Sequence, residues 1–157
     1  MREILFRGKR KDTKGWVEGF YACQSNHSCM RSSLKFQHFI YKDICMDINL
    51  GGLVEFEVDP ETVGQYTGLC DNNGEKIFEG DIIRFGENTY QIIFECGSFN
   101  LCDKDGEMNS KIGGTSDYCY SLMVLYDECC WEDNSAYDIE IIGNIHDTPE
   151  LLEGSKG

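Results

Sequence analysis

Three potential metal ligands, Cys23, His27 and Cys29, lie close together in the segment "CQSNHSC". Thiolates and imidazoles are ligands that zinc prefers, and a structural zinc site needs four of them. A fourth ligand is not apparent, and neither CxxC nor HxxxH spacing occurs in the chain. Two interpretations stay open, a zinc site or ordinary loop residues in a cysteine-rich chain. We take the second and predict no bound metal and no cofactor.

Oxygen ligands cluster in a second segment, "CDNNGEKIFE", which supplies Asp71, Asn72, Asn73 and Glu79. Calcium binds oxygen ligands of these types, but the EF-hand spacing is absent and the flanking residues are typical of strands. An Asn-Gly pair supplies positive φ values that tight hairpin turns require. We therefore predict that Asn73 and Gly74 form a primed hairpin turn and that the glycines here are structural.

A phosphate-binding loop is not indicated in this glycine-rich stretch. Such loops place a lysine and a hydroxyl residue directly after the glycines. Here Gly74 is followed by Glu75 and Gly80 by Asp81, whose carboxylates would repel phosphate. The one basic cluster, Arg7 to Lys14, is interpreted as a solvated hairpin turn and, as the alternative, as a phosphate-binding patch.

Nucleophilic catalysis is not specified by any pattern in the chain. Each of nine cysteines could pair with His27, His38 or His146, so such pairs carry little information. Nothing resembles a nucleophile elbow or a cysteine-protease segment. We predict no catalytic residue, and an enzyme remains the alternative.

Composition and charge exclude several classes of protein. Twenty-eight acidic and fourteen basic residues give a net charge of −14, which makes direct binding to a nucleic-acid backbone unfavourable. An apolar run that would cross a membrane or direct export is not apparent. The odd number of cysteines then indicates reduced thiols. We expect a cytoplasmic protein of the host cell.

The first 60 residues are predicted to form an N-terminal β region. In "WVEGFYAC", Trp16 and Phe20 alternate with Val17 and Tyr21, as in a strand. "LKFQHFIY" and "LVEFEVD" alternate in the same way, and the second has one charged face. The segment from Cys23 to Arg31 has no pattern and is predicted to be a loop.

Residues 61–152 contain short apolar runs separated by turns that bear glycine, which is typical of a small antiparallel barrel. The segment 104–117 is predicted to be a polar loop. The apolar run 120–131 fits a helix or a strand equally well. Pro149 is predicted to begin a short helical turn, followed by a tail at residues 153–157.

Three segments resemble the YopX family of small phage and prophage proteins. They are "REILFRGK" with the following Trp16, "ETVGQYTGLCDNNGEKIFEGDIIRF" and "IEIIGNIHDTPELLE". Where members of the family commonly have "REIKFRAWD", this chain has Gly8 and Lys9. The resemblance implies a mostly-β fold whose C-terminal part is an SH3-like barrel, and a phage origin. It implies no catalytic residues, because the family has no established activity.

Two classes of function follow from these observations. The first is a phage-derived accessory protein without catalytic activity that binds protein or assembles, and the alternative is an acidic mimic of DNA that occupies a host DNA-binding factor. The N-terminal β region has more aromatic area than a few short strands can bury. We therefore predict a homo-oligomer that forms through these aromatic residues: Trp16, Phe20, Tyr21, Phe36, Phe39 and Tyr41.

Overall fold

The computed structural model of the chain describes residues 3–25, 36–45, 51–102, 122 and 139–153. These residues are mostly in antiparallel strands, which confirms the predicted β class. The chain divides into two compact units, Met1–Tyr66 and Thr67–Gly157. The division comes slightly later than the predicted boundary after residue 60, because the strand that begins at Gly64 starts in the first unit and ends in the second.

The N-terminal unit is built on four antiparallel strands in the spatial order β4-β3-β2-β1. Their bounds are β1 Phe6–Lys9, β2 Trp16–Ser25, β3 Phe36–Cys45 and β4 Gly51–Glu57. The first residues of β5 (Gly64–Cys70) pair with β1, since Gly64 lies opposite Arg7. Each predicted strand of this region is therefore present.

One face of this sheet carries the core of the unit. Val17, Ile40 and Val58 are buried there, with Phe6 and Phe56 packed against them. In β2, Val17 is buried and its neighbours Trp16 and Glu18 lie on the opposite face, which confirms the predicted alternation. The alternation of apolar side chains along each strand thus determines which face of the sheet is buried.

β1 and β4 approach each other at one end of this sheet. Arg10, just after β1, forms a bridge with Val58, just after β4. The N–H of Lys11 donates to the carbonyl of Glu57 at 2.9 Å, and the N–H of Asp59 donates to the carbonyl of Lys9 at 2.9 Å. The sheet is therefore curled, and its open edge is limited to the earlier part of β4.

The C-terminal unit contains a second antiparallel sheet and a β-hairpin. The hairpin joins β5 to β6 (Lys76–Phe78). The sheet has the order β10-β7-β8-β9, with β7 Asp81–Phe85, β8 Asn88–Glu95, β9 Ser98–Cys102 and β10 Ile139–Asn144. A helical turn, α1 (Glu150–Glu153), follows Pro149 as predicted. Among the described residues β9 and β10 do not pair, so an SH3-like closed barrel stays a prediction.

The core of the C-terminal unit is larger than that of the first. Its members come from β6 to β10 and include Leu122, which lies between two undescribed segments. Phe94, which alternation along β8 places on the same face as Tyr90 and Ile92, is 48% exposed near the end of that strand. The buried core residues are Ile77, Ile83, Phe85, Tyr90, Ile92, Phe99, Leu101, Leu122 and Ile139.

The turn at Asn73 and Gly74 differs from the predicted primed turn. Gly74 has φ +81°, but Asn73 has no positive φ. The N–H of Asp71 donates to the carbonyl of Glu75 at 2.8 Å, and the N–H of Gly74 donates to the carbonyl of Asp71 at 3.0 Å. This is a three-residue loop that ends in a left-handed glycine, so only one residue needs positive φ.

The primed turn occurs instead between β8 and β9, at Cys96 and Gly97. These two residues connect the opposed pair Glu95 and Ser98, and they have φ +54° and +81°. Positive φ at both central positions defines a type I′ turn, which favours Asn at the first position. The segment "ECGSF", with glycine only at the second central position, is therefore only a weak signal for the turn that it forms.

Other predictions are corrected or lie outside the described residues. Cys23 to Ser25 belong to β2, so the predicted loop at residues 23–31 begins later than expected. Its remainder, the polar loop 104–117 and all of 120–131 except Leu122 lie outside the described residues. In the part of the chain that the structure describes, no helix is long and apolar enough to span a membrane.

Candidate functional site

The predicted zinc ligands are only partly described. Cys23 lies exposed on β2, whereas His27 and Cys29 lie outside the described residues. Across the described ranges, no group of three or more His, Cys, Asp or Glu residues could hold a metal ion. Among the described residues, Cys23 and Cys96 are exposed free thiols.

Strand register places Cys23 beside a histidine that sequence reasoning did not connect with it. Cys23 lies opposite His38 on β3. The hydroxyl of Tyr21 lies 2.5 Å from Nδ1 of His38, and their rings stack with centroids 5.9 Å apart. Burial, and then the nearby Cys23 thiol, raise the pKa of Tyr21. The Tyr-His pair consequently joins β2 to β3 as a hydrogen-bonded contact within the sheet.

The carboxylate of Asp71 organises the predicted calcium segment. Its Oδ1 accepts hydrogen bonds from the backbone N–H groups of Asn73 at 2.8 Å and Glu75 at 2.9 Å. Its Oδ2 accepts from the N–H of Ile141 at 3.3 Å. Burial acts to raise the pKa of this carboxyl, but the hydrogen bonds outweigh burial and hold the pKa below its ordinary value of 3.8. Both carboxylate oxygens therefore stabilise the turn and its contact with β10.

The basic cluster Arg7 to Lys14 forms the end of β1 and the turn into β2, as the hairpin interpretation predicts. Arg10 pairs with Asp12 at 2.6 Å, and Lys11 pairs with Glu57 at 2.7 Å. Hydrogen bonds from these cations lower the pKa values of the two carboxyl groups. Much of the positive charge is thus matched within the same sheet.

The second face of the N-terminal sheet combines exposed apolar and charged side chains, and we call it the outer face. It lies opposite the core of Val17, Ile40 and Val58. Strand pairing and alternation assign its members, which come from all four strands. They are Arg7, Lys9, Trp16, Glu18, Phe20, Ala22, Gln24, Gln37, Phe39, Tyr41, Asp43, Leu53, Glu55 and Glu57.

Aromatic and aliphatic side chains occupy the middle of the outer face. Phe20 is 57% exposed and Leu53 is 65% exposed. Phe39 and Tyr41 are partly buried against each other, with ring centroids 6.4 Å apart. The Tyr41 hydroxyl accepts from Gln24 at 2.6 Å and donates to Glu55 at 3.2 Å. Large apolar side chains that stay exposed on one face are typical of interaction surfaces.

Charges of opposite sign lie at the two sides of the outer face. On β1, the guanidinium of Arg7 lies 4.8 Å and the ammonium of Lys9 lies 5.5 Å from the centroid of the Trp16 ring. On β4, Glu55 and Glu57 extend from the same face. The outer face therefore carries cations along β1, apolar side chains in the middle and carboxylates along β4, of which Glu57 is paired with Lys11 of the same chain.

Sequence reasoning found the aromatic residues of this face and their alternation within each strand, but not which faces of β2 and β3 coincide. Phe20 and Phe39 lie on the outer face, whereas Tyr21 and Phe36 lie on the core side of the sheet. Alternation within β2 predicts the separation of Phe20 from Tyr21. Only the pairing of β2 with β3 shows which residues of β3 join Phe20.

Comparisons with known proteins identify a family but supply no activity. A family model described as YopX protein matches residues 5–153. No curated protein sequence matches significantly. The crystal structure of protein EF1440 from Enterococcus faecalis aligns with a TM-score of 0.47 at 21% identity, over 97% of this chain and 99% of that one.

Proposed function

The chain belongs to the YopX family, and we propose that it is a phage-derived accessory protein that binds protein and assembles with copies of itself, without catalysis. The observation that carries this proposal is the outer face of the N-terminal sheet. Phe20 and Leu53 expose 57% and 65% of their surface there. Binding of a protein partner that covers these two side chains would be favourable, because it would remove apolar area from water.

The charge pattern of the outer face favours a second copy of the chain as the partner. Homo-oligomers commonly use a two-fold axis, which places the same patch on both sides of the contact. An axis parallel to the strands sets β1 of one copy against β4 of the other. Lys9 then approaches Glu55 of the second copy, and the apolar middles meet. Opposite charges at both margins would fix the orientation of the pair.

We propose no catalysis because the described side chains that could act as a general base form structural hydrogen bonds instead. The Asp71 carboxylate accepts backbone hydrogen bonds on both oxygens. His38 is held by the Tyr21 hydroxyl. A general base must instead face the proton that it abstracts from a substrate. These side chains support turns and strand pairs.

Two variants at phenylalanines of equal exposure test the proposal. Phe20 lies on the outer face at 57% exposure, and Phe36 lies on the opposite face of the same sheet at 58%. Phe20→Asp should lower the mean mass in sedimentation equilibrium, because it places a carboxylate in the apolar middle of the contact. Phe36→Asp should leave that mass unchanged. Equal masses for both variants and the wild type would contradict assembly through this face.

The net charge of −14 favours the second candidate function, mimicry of DNA toward a host DNA-binding factor. Capture from bacterial lysate at low and high salt separates the candidates. Capture of a basic DNA-binding protein that is lost at high salt supports mimicry, since screening weakens exposed charge pairs. Retention at high salt supports an apolar protein contact.

A further inference from the structure

The earlier part of β4 is an open strand edge with few protective features. β4 is the last strand of its sheet in the order β4-β3-β2-β1. Its sequence "GGLVEFE" contains neither proline nor lysine, the residues that often block edge pairing. Leu53 and Val54 on its two faces are exposed by 65% and 39%. Such an edge is able to pair with another strand.

Hydrogen bonds already present show which backbone groups face outward. The N–H of Val58 donates to the carbonyl of His38, so the even-numbered residues of β4 face β3. The carbonyl of Glu57 accepts from Lys11, so the odd-numbered residues face away from β3. Leu53 and Glu55 therefore direct their N–H and C=O groups to the open edge. Within the described residues, no backbone hydrogen bond reaches these groups.

We propose that β4 pairs antiparallel with β4 of a second copy, on a two-fold axis that passes through Val54. This inference rests on the proposed self-association and specifies an additional contact, at the edge rather than on the outer face. With this axis, Leu53 of each copy lies opposite Glu55 of the other. Both residues face outward, so each such pair exchanges two backbone hydrogen bonds.

Side chains favour this register over its neighbours. An axis at Glu55 would set the two Glu55 carboxylates directly opposite each other, and like charges in that position are destabilising. An axis at Leu53 would set Val54 opposite Gly52 and lose a contact between valines. With the axis at Val54, the two Val54 side chains touch, and Gly52 leaves room for Phe56 of the second copy. A slip by one residue would oppose an outward residue to an inward one.

Disulfide trapping in the full chain tests the register. Val54→Cys places one thiol of each copy at the axis, in a non-hydrogen-bonded pair with Cα atoms about 4.5 Å apart. That separation lies within the range of a disulfide, about 4.4–6.8 Å. Oxidation should give a covalent dimer, and peptide mapping should find position 54 linked to position 54. Because Val54 is partly exposed, the substitution should leave the fold intact by circular dichroism.

Leu53→Cys and Glu55→Cys are matched controls on the same strand. In the proposed register each is offset from its own equivalent by two residues, so the Cα atoms lie about 8 Å apart, beyond disulfide reach. These controls should give no link between equivalent positions. A link at Leu53→Cys, or none at Val54→Cys, would overturn the register. If either of these results is found and the wild-type protein is still oligomeric, only the edge contact is wrong. If the wild-type protein is monomeric, the proposed self-association is wrong as well.

Discussion

The carboxylate of Asp71 accepts a hydrogen bond from the backbone N–H of Ile141, 70 residues further along the chain. The contact joins the turn between β5 and β6 to β10. The N–H of Asn72 also donates to the carbonyl of Ile139, at 3.1 Å. Two segments that carry the YopX resemblance are thus held together by one buried side chain and its neighbour. This explains why an aspartate begins a turn that ends in Asn-Gly.

Asp71→Asn should destabilise the C-terminal unit, because an amide cannot accept hydrogen bonds on its nitrogen. Loss of charge-assisted bonds predicts a decrease of about 2 kcal/mol in the free energy of unfolding at pH 7. Chemical denaturation measures it. Asp12→Asn is the control, since Asp12 is exposed and bonds only within the β1-β2 turn region. Equal effects of the two substitutions would contradict the structural role of Asp71.

The same carboxylate predicts a pH dependence. The pKa of Asp71 lies below its ordinary value of 3.8 in the folded protein, so ionised Asp71 favours the folded state. Its contribution is complete above that ordinary value and is lost as the pH falls through the folded pKa. The difference in stability between wild type and Asp71→Asn should therefore shrink below about pH 4. A constant difference from pH 7 to pH 2 would show that ionisation is irrelevant.

Calcium should not raise the melting temperature of the wild type. Both oxygens of Asp71 accept hydrogen bonds from protein groups, which a cation would have to displace. Differential scanning fluorimetry with and without millimolar calcium measures the effect. A calcium-dependent rise that disappears in Asp71→Ala would show that this turn is a metal site.

Cys96→Asn should stabilise the protein. Cys96 has φ +54° at the first central position of the type I′ turn, where Asn is preferred and most other residues are strained. Relief of left-handed strain predicts a gain of roughly 1 kcal/mol. Cys96→Ala is the matched control, because it removes the thiol and keeps the strain. A gain with Ala as large as that with Asn would point to the thiol instead.

Gly143→Ala should destabilise the end of β10. An added Cβ would lie 2.1 Å from Oγ1 of Thr148 and 2.8 Å from Cδ1 of Leu151, so the Thr148 side chain, which accepts a hydrogen bond from the N–H of Asn144, would have to move. Overpacking of this kind costs about 1–3 kcal/mol. Gly15→Ala, where the nearest atom, Oγ1 of Thr13, lies at an ordinary contact distance of 3.6 Å from the added Cβ, is the control for thermal unfolding. A small effect at both positions would contradict the close packing at Gly143.

Local alternation predicted a substantial part of the N-terminal sheet. Val17 and Phe20 on opposite faces follow directly from the period of a strand, and the short helical turn follows from Pro149. The bridge between Arg10 and Val58 could not be predicted, because it depends on how strongly the sheet curls. Register is equally hidden, since nothing near Cys23 in the sequence indicates that His38 lies opposite.

The types of two turns also could not be predicted from their local sequences. Asn73-Gly74 is a strong local signal, but the hydrogen bonds of Asp71 select a three-residue loop instead of a primed turn. Cys96-Gly97 has a weak local signal and is forced into the primed turn by the pairing of Glu95 with Ser98. In both cases a contact outside the dipeptide decides the backbone. The residue types of the outer face were likewise predictable from the sequence, but their arrangement across the four strands was not.

Light scattering of wild-type protein over a dilution series tests self-association most directly. The account predicts a mass that is a multiple of 17.9 kDa at tens of micromolar and falls toward 17.9 kDa on dilution. Exposed Phe20 and Leu53 are the physical reason, because they leave apolar area that a second copy would cover. A mass of 17.9 kDa at every concentration, with the protein folded by circular dichroism, would contradict it.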